Sequence, residues 1–349
     1  MIDTLDLIIY GVKRLDFKYL KNLGIIIKPY KDKKIYDYQI NNLTIQEFNE
    51  IIRDTIRDVG YTFNYKNINF KYNVRHKYLL LTTKVSKIIE KDIITLSDKT
   101  RYKEKVEECI REVLKVPYQI YIARIDYMVD IKMESDEKVQ EYIKLLNKHN
   151  NRYFYMKKKK NYDGEDYKTS IYLTNKTGQL TLNFYNKYRE QITKDNYKNN
   201  YKGVLRLEVQ NKPARIKAQK YKENGRDSTL NSYYSKESMI DNYFNVIRPY
   251  LYLGDYYKLR GAKKIINASE KSKKWKKKLK EFLNAVAKYG TVKGVYENKF
   301  CCEDTGKKYV SILEQLGINP VTIDETSKYD YLPNLYKMAL EVAEKKYFR

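Results

Sequence analysis

Apolar residues recur along this chain with two periods, and together they predict a mixture of strands and helices. Residues 3–10 alternate enough to predict a first strand. Thr44 and Glu47 form a capping-box pattern that predicts a helix with Ile45, Phe48, Ile51, Ile52 and Ile56 on its apolar face. Segments 61–74 and 77–89 predict a strand pair. The helix that follows has one apolar face, formed by Val106, Cys109, Ile110, Val113 and Leu114.

The middle of the chain continues with the same two patterns. A helix is predicted at 136–149, and the remaining predicted strands are 118–133, 152–160, 169–175, 179–187 and 204–211. The turn sequence Asn175-Lys176-Thr177-Gly178 joins two of these strands as a hairpin. Such an order predicts an α+β fold with a largely antiparallel sheet and helices on one face.

The pattern becomes helical from about residue 237, which predicts two domains, 1–236 and 237–349. A dense basic run at 271–280 leads into Leu279, Phe282, Leu283 and Val286 at helical spacing, and Gly317 ends a later helix containing Tyr309, Ile312, Leu313 and Leu316. The candidate DNA-binding lysines of the run are Lys273, Lys274, Lys276 and Lys277. Two short helices joined by a turn can bind DNA, but they also occur in plain helical domains, where a basic run is a solvated face.

Charge narrows the choice of partner, because 70 Lys and Arg against 44 Asp and Glu give a formal net charge of +26. A polycation of this size favours nucleic acid. The 38 tyrosines could stack on unpaired bases, although AT-rich coding would raise the Lys, Tyr, Asn and Ile content together. The sequence has no apolar stretch long enough to cross a bilayer and an acidic start unlike a secretory signal, which predicts a cytoplasmic protein.

Three predicted strands carry chemically similar faces. One has Arg124, Asp126 and Asp130 opposite apolar residues; a second has Thr181, Asn183, Tyr185 and Lys187; a third has Arg206 and Glu208. For any one strand this is the ordinary wet face of an antiparallel sheet. Together they suggest more, because carboxylates oppose phosphate binding unless they hold a divalent cation such as Mg²⁺ or Mn²⁺. A tyrosine beside such a cation is a plausible nucleophile for a phosphodiester.

A resemblance appears at these residues. Five segments resemble, in the same order, segments of the replication initiators of filamentous phages, the gene II/X type, and of related plasmid rolling-circle initiators. They are MIDTLDLIIY, ARIDYMVDI, LTLNFYNKYRE, VLRLEVQNKPARIK and GKKYVSILEQLGI. The resemblance spans nearly the whole chain and implies a rolling-circle nuclease fold in residues 1–236. It implies that Tyr185 nicks single-stranded or melted origin DNA, becomes linked to the 5′-phosphate, leaves a 3′-OH and later rejoins the displaced strand.

The same resemblance suggests roles for the neighbouring residues. Asp126 and Glu208 would be metal ligands with Asp130 as a third, and Lys187 would steady the phosphate or protonate the leaving oxygen. Arg124 and Arg206 would pair with carboxylates or bind phosphate. The chain lacks the His-hydrophobe-His metal motif of many initiators, which leaves His76 as a conceivable ligand or, more simply, a partly buried structural histidine. Tyr188 is a second candidate nucleophile.

Two alternatives remain open. A non-catalytic nucleic-acid or copy-control protein with this fold would not need Tyr185, and an RNA-binding protein is disfavoured by the lack of an RNP-type motif. No phosphate-cradling glycine loop is present, so ATP hydrolysis by this chain is not expected. The resemblance implies that a host helicase unwinds the DNA and a host polymerase copies it.

Overall fold

The computed structural model describes residues 1–30, 60–149, 155–156, 169–192, 199–222 and 229–348. They belong to two compact units: unit 1 is Met1–Asp126 with Lys212–Ser235, and unit 2 is Tyr127–Asn211 with Lys236–Arg349. The predicted helix after Thr44 and most of the predicted strand 152–160 lie outside the described residues. The division of roles between 1–236 and 237–349 stays a prediction.

Unit 1 is a sheet with helices. Its strands are Ile2–Tyr10 (β1), Lys28–Tyr30 (β2), Gly60–Tyr65 (β3), Ile68–Asn73 (β4), Tyr78–Lys84 (β5) and the first half of Tyr121–Lys132 (β6). Its helices are Phe17–Asn22, Val85–Ile89, Lys99–Val113, Pro213–Lys222 and Leu230–Tyr233, with a 3-10 turn at Leu96–Asp98. The strand order is β2-β3-β4-β5-β1-β6, and the pairs from β2 to β1 are antiparallel.

The core of unit 1 follows from the strand register. Phe63, Phe70, Leu81 and Leu7 are consecutive cross-strand partners on four strands, and all four are buried. The helix Lys99–Val113 packs on the same side, where the Tyr102 hydroxyl lies 2.6 Å from Oγ1 of the buried Thr83. All the apolar residues predicted for this helix face are buried, which confirms its interpretation.

The structure corrects two boundaries in unit 1. The predicted strand 61–74 is a hairpin, because Lys66 and Asn67 adopt φ values of 45° and 64° and form a tight turn between β3 and β4. The predicted strand 77–89 ends at Lys84, and the rest is a helix that buries Val85, Ile88 and Ile89. Their i, i+3, i+4 spacing is the helical period that the sequence reading missed.

Unit 2 combines an antiparallel sheet with most of the helices. Its strands are the second half of β6, Tyr155–Met156 (β7), Ser170–Thr174 (β8), Leu180–Asn186 (β9), Val204–Asn211 (β10), Tyr256–Tyr257 (β11) and Tyr331–Leu332 (β12). The main sheet runs β6-β10-β9-β8-β7 and the last two strands pair separately. The helices are Asp136–Asn147, Lys187–Ile192, Lys236–Met239, Asn245–Leu251, Leu259–Ala268, Lys273–Tyr289, Val292–Glu297, Glu303–Gln315 and Leu335–Lys346, with a π-helical turn at Ile240–Phe244 and a 3-10 turn at Asn199–Tyr201.

Several predicted details of unit 2 are confirmed. The β8–β9 hairpin turns at Gly178, whose φ is 68° and whose N–H donates to the Asn175 carbonyl at 3.0 Å. The last turn of the helix Glu303–Gln315 is followed by Gly317 at φ 73°, as a C′ glycine should be. The fold class, α+β with a large antiparallel sheet and a helical C-terminal region, is therefore as predicted.

Buried tyrosines brace unit 2 through their hydroxyls. Tyr243 donates to the Leu207 carbonyl of β10 at 3.1 Å, Tyr250 to the Leu146 carbonyl at 2.8 Å, and Tyr142 to the Pro333 carbonyl at 2.9 Å. Burial raises the pKa of each of these phenols above its ordinary value. Each ring fills core volume and its hydroxyl satisfies a main-chain acceptor. Tyr243 ties β10 to the π-helical turn, whereas Tyr250 joins two helices and Tyr142 joins a helix to the segment after β12.

Candidate active site

The polar side of the unit 2 sheet gathers several of the predicted site residues. Tyr185 of β9 and Arg206 of β10 are direct cross-strand partners, and Glu208 lies two residues beyond Arg206 on the same face. Their neighbours along each strand, Phe184 and Leu207, are fully buried on the opposite face. The alternation in the sequence thus becomes a sheet with one apolar side and one polar side.

Tyr185 and Glu208 are hydrogen-bonded to each other. The phenol donates to Glu208 Oε2 at 3.3 Å, and the two residues are only 8% and 5% exposed. The other carboxylate oxygen, Oε1, accepts from the Gln210 amide at 2.6 Å, which holds the carboxylate in place. A phenol becomes a nucleophile only when a base takes its proton, and a carboxylate within hydrogen-bond reach is such a base.

Arg206 is fixed by Asp130. Its Nε donates to Asp130 Oδ1 at 2.6 Å and its Nη2 to Oδ2 at 2.7 Å, the fork-to-fork geometry that arginine makes with carboxylates. The Asp130 N–H donates to the Tyr347 hydroxyl at 3.4 Å, so the C-terminal end of the chain supports the same strand. Burial and the nearby Asp130 carboxylate raise the pKa of Tyr347, which keeps this hydroxyl neutral.

Lys187 lies near Tyr185, but on a different element from the one predicted. The strand ends at Asn186 and Lys187 is the first residue of a helix. Its Nζ is 5.6 Å from the centre of the Tyr185 ring and 2.7 Å from Glu190 Oε2. The ammonium is therefore close enough to influence charge on the phenol, although the same-strand-face argument that predicted its position was wrong. Tyr188, one residue further on, is partly buried.

Arg124 and Asp126 form a second arginine–carboxylate pair, in unit 1. Nε of Arg124 donates to Asp126 Oδ1 at 2.9 Å and Nη2 to Oδ2 at 2.5 Å, and Asp126 is buried. Asp6 on β1 was missed by sequence reasoning. Burial raises the pKa of its carboxyl, which a hydrogen bond from Thr82 and the charge of Arg124 partly offset. Oδ1 of Asp6 is buried without a hydrogen-bond partner among the described residues. The sequence did contain a signal for Asp6, because it is an acidic residue at a polar position of the predicted first strand.

A divalent cation was predicted here, and the donor groups fit it poorly as they stand. Both oxygens of Asp130 and of Asp126 accept from arginines, and the described part of the chain contains no group of three or more His, Cys, Asp or Glu residues that could hold a metal ion. Direct ligation by Asp130 or Asp126 would need the guanidinium to withdraw. The Mg²⁺ or Mn²⁺ site of Asp126, Glu208 and Asp130 therefore stays a prediction.

The histidines do not supply ligands nearby. His149 is buried, with Nδ1 2.7 Å from the Tyr250 carbonyl, and burial lowers its pKa to about 4, so it is neutral. His76 is exposed, not partly buried as expected, because it lies in the turn before β5. Cys109 is buried, Cys301 half-buried and Cys302 exposed, all as thiols.

One family model matches part of the chain. Residues 84–237 match a family model that describes the N-terminal part of the gene II replication-associated protein. The segment is similar to the filamentous-phage gene II type. The match confirms the family predicted from the sequence and supports a role in initiating phage replication at origin DNA. Tyr185, Lys187, Glu208 and both arginine–carboxylate pairs lie inside the matched segment. No curated protein matches the chain.

Outside the matched gene II segment, the basic run forms the start of the helix Lys273–Tyr289, which begins at the N-cap Ser272. Lys273, Lys274 and Lys277 are exposed. Lys276 instead donates to the Asn267 carbonyl at 2.8 Å, near the end of the preceding helix. The predicted apolar residues Leu279, Phe282, Leu283 and Val286 are buried in a core of their own. Each such side chain contributes about 1.5–3 kcal/mol by burial, so the helix is held by packing while its lysines face water.

None of the helices in the described ranges is both long and apolar enough to cross a membrane.

Proposed function

We propose that this protein initiates rolling-circle replication by nicking one strand of phage or plasmid origin DNA and later rejoining it. The observation that carries the proposal is the hydrogen bond from the Tyr185 hydroxyl to the Glu208 carboxylate, inside a segment of the gene II type. The substrate would be single-stranded or locally melted origin DNA, as the resemblance to the phage initiators implies.

In the nicking step, Glu208 takes the phenolic proton as the Tyr185 oxygen attacks the phosphorus. The new bond joins the phenolic oxygen to the 5′-phosphate, and the bond to the 3′ oxygen of the preceding nucleotide breaks. Lys187 donates a proton to that oxygen, which leaves as the 3′-OH, while Glu208 keeps the phenolic proton. Rejoining is the same exchange in reverse, with a 3′-OH as nucleophile and the phenol as leaving group.

Two cations would stabilise the charge that builds on the phosphate. The Lys187 ammonium lies by the Tyr185 ring, and Arg206 is the cross-strand partner of Tyr185. A divalent ion, Mg²⁺ or Mn²⁺, would supply Lewis-acid stabilisation of the same charge, with Glu208 as the predicted ligand in the same unit as Tyr185. Exposed Lys273, Lys274 and Lys277 would hold the DNA backbone, and a host helicase and polymerase would unwind and copy it.

The test is formation of a covalent protein–DNA adduct on a denaturing gel, with end-labelled circular single-stranded DNA carrying the origin. We expect an adduct at the 5′ side of the nick in the presence of Mg²⁺ or Mn²⁺ and none with Tyr185→Phe. Tyr188→Phe is the matched control, because it removes a hydroxyl three residues away and should leave the adduct intact. An adduct that survives in Tyr185→Phe and disappears in Tyr188→Phe would move the nucleophile to Tyr188.

A non-catalytic DNA-binding protein is the competing reading. It predicts no adduct with any metal while binding remains tight and weakens steeply with salt.

A further inference from the structure

Unit 1 contains an open groove of about 1350 Å³ that the mechanism above does not use. One wall is the face of β1 and β5 opposite the core, where Tyr10 and Tyr78 are direct cross-strand partners. The start of the helix Pro213–Lys222 contributes the opposite lining, with Pro213 and Lys217 exposed. The groove therefore lies within unit 1, and the turn residue His76 and residues 117–119 complete its lining.

The groove is rich in accessible rings. Tyr10 is 61% exposed although it lies on an interior strand of the sheet, and its ring centre lies 6.0 Å from that of Tyr121. The rings of His76 and Tyr78 are nearly parallel, with an interplanar angle of 14° and centres 6.4 Å apart. Tyr118 completes a set of four tyrosines in the lining. Tyr10 and His76 are exposed and the other three rings are partly exposed, so planar groups can stack on their accessible faces.

The charge of the groove lining favours an anionic ligand among the planar groups that could stack there. None of the described residues that line the groove is acidic, Lys217 contributes a cation, and the whole chain carries a formal charge of +26. A polyanion is therefore attracted to this surface and meets no fixed negative charge in the groove. The bases of a duplex are stacked on one another and cannot lie on tyrosine rings, whereas those of a single strand can.

We propose that this groove binds unpaired bases of single-stranded DNA by stacking on Tyr10, Tyr121 and Tyr78, with Lys217 at the backbone. The site is separate in sequence and in role from Tyr185, and it would hold melted DNA before and after the nick. It rests on the proposed function only in taking DNA as the ligand.

The experiment measures binding in the Tyr185→Phe background, so that cleavage does not interfere. Fluorescence anisotropy with a labelled oligothymidylate, and with the same strand annealed to its complement, gives the two affinities. We expect Tyr10→Leu or Tyr121→Leu to weaken single-strand binding about 5- to 100-fold, because each removes the stacking surface for a base. Tyr10→Phe keeps the ring and should bind as wild type. The control Phe300→Leu removes a ring that is 44% exposed elsewhere and should have no effect.

The salt dependence separates stacking from charge. Tyr10→Leu should lower affinity at every salt concentration without changing the slope, whereas Lys217→Ala should reduce the slope. Photocrosslinking with an oligonucleotide that contains 5-iododeoxyuridine should attach it to peptides that contain Tyr10 or Tyr121. If the folded double variant Tyr10→Leu/Tyr121→Leu binds the single strand as tightly as wild type, or the crosslinks map elsewhere, the proposal is overturned.

This result is independent of the nicking reaction. If no adduct ever forms with intact Tyr185 but Tyr10→Leu still weakens single-strand binding, the groove stands and the nicking proposal fails. If the adduct forms normally and the groove variants bind as wild type, the nicking proposal stands and the groove proposal fails.

Discussion

Removing Asp130 should destabilise the protein far more than removing an exposed acid. The Arg206 side chain is 7% exposed and Asp130 is 22% exposed, and two hydrogen bonds join them. Asp130→Ala would leave a guanidinium buried without its carboxylate, which typically costs about 3–5 kcal/mol. Because water can reach part of Asp130, we expect the lower end, a loss of about 3 kcal/mol in the free energy of unfolding.

Chemical denaturation followed by far-UV circular dichroism provides the measurement. Glu341→Ala is the control, since Glu341 and Lys345 form an i,i+4 pair that is 67% and 73% exposed and should contribute only about 0.3–0.5 kcal/mol. The double variant Asp130→Leu/Arg206→Met removes both charges and should recover most of the stability. A loss for Asp130→Ala no greater than for Glu341→Ala would show that the pair is solvated and the reasoning wrong.

The same position also decides between two roles for Asp130. If it is a metal ligand, Asp130→Asn should raise the Mg²⁺ or Mn²⁺ concentration needed for half-maximal adduct formation. If it serves to orient Arg206, the rate should fall while that concentration stays unchanged. We expect the second result, because Arg206 already occupies both carboxylate oxygens.

Three further predictions concern other groups. Glu208→Gln should slow adduct formation at least about 100-fold at neutral pH, because the amide cannot accept the phenolic proton. Asp6→Asn should raise the free energy of unfolding by about 1 kcal/mol at neutral pH, measured by denaturation, since it removes a buried carboxylate with an unsatisfied oxygen. Changing Lys273, Lys274 and Lys277 together to Ala should weaken DNA binding and flatten its salt dependence in anisotropy titrations.

Each of these has its own control. Gln210→Ala keeps the base and should slow adduct formation much less than Glu208→Gln. The raised pKa of Asp6 means that the native state binds its proton more readily than the unfolded chain does. The contribution of Asp6 to stability should therefore become more favourable as pH falls towards the ordinary carboxyl range, and the advantage of Asp6→Asn over wild type should vanish there. An advantage that grows at low pH would contradict this. Lys276→Ala should lower stability, since Lys276 binds the Asn267 carbonyl.

The strands carrying the site were predictable because their alternation is regular. β9 and β10 each place an apolar residue opposite every polar one, so Tyr185, Arg206 and Glu208 could be assigned to one face without a structure. The arginine–carboxylate pairs were not predictable in the same way. Which carboxylate each arginine chooses depends on the register between strands, and period alone does not give register.

The ends of the strands and the exposure of individual side chains were harder to predict from the sequence. Lys187 begins a helix because Asn186 ends the strand, and nothing in the sequence LTLNFYNKYRE marks that change. The sequence counted tyrosines but could not tell the exposed Tyr10 from the buried Tyr243. Exposure depends on what packs against a strand, and this is decided by residues far away in the chain.

The buried, hydrogen-bonded tyrosines have a chemical consequence for a protein that must react with DNA through one phenol. A phenol whose pKa is raised by burial and whose proton is held by a main-chain carbonyl does not form a phenolate, as for Tyr243, Tyr250 and Tyr142. Abundant tyrosine therefore need not mean abundant reactivity. Iodination or nitration of the folded chain should modify Tyr10 early and these three only after unfolding, and the fold itself thereby limits which tyrosines can compete for a phosphodiester.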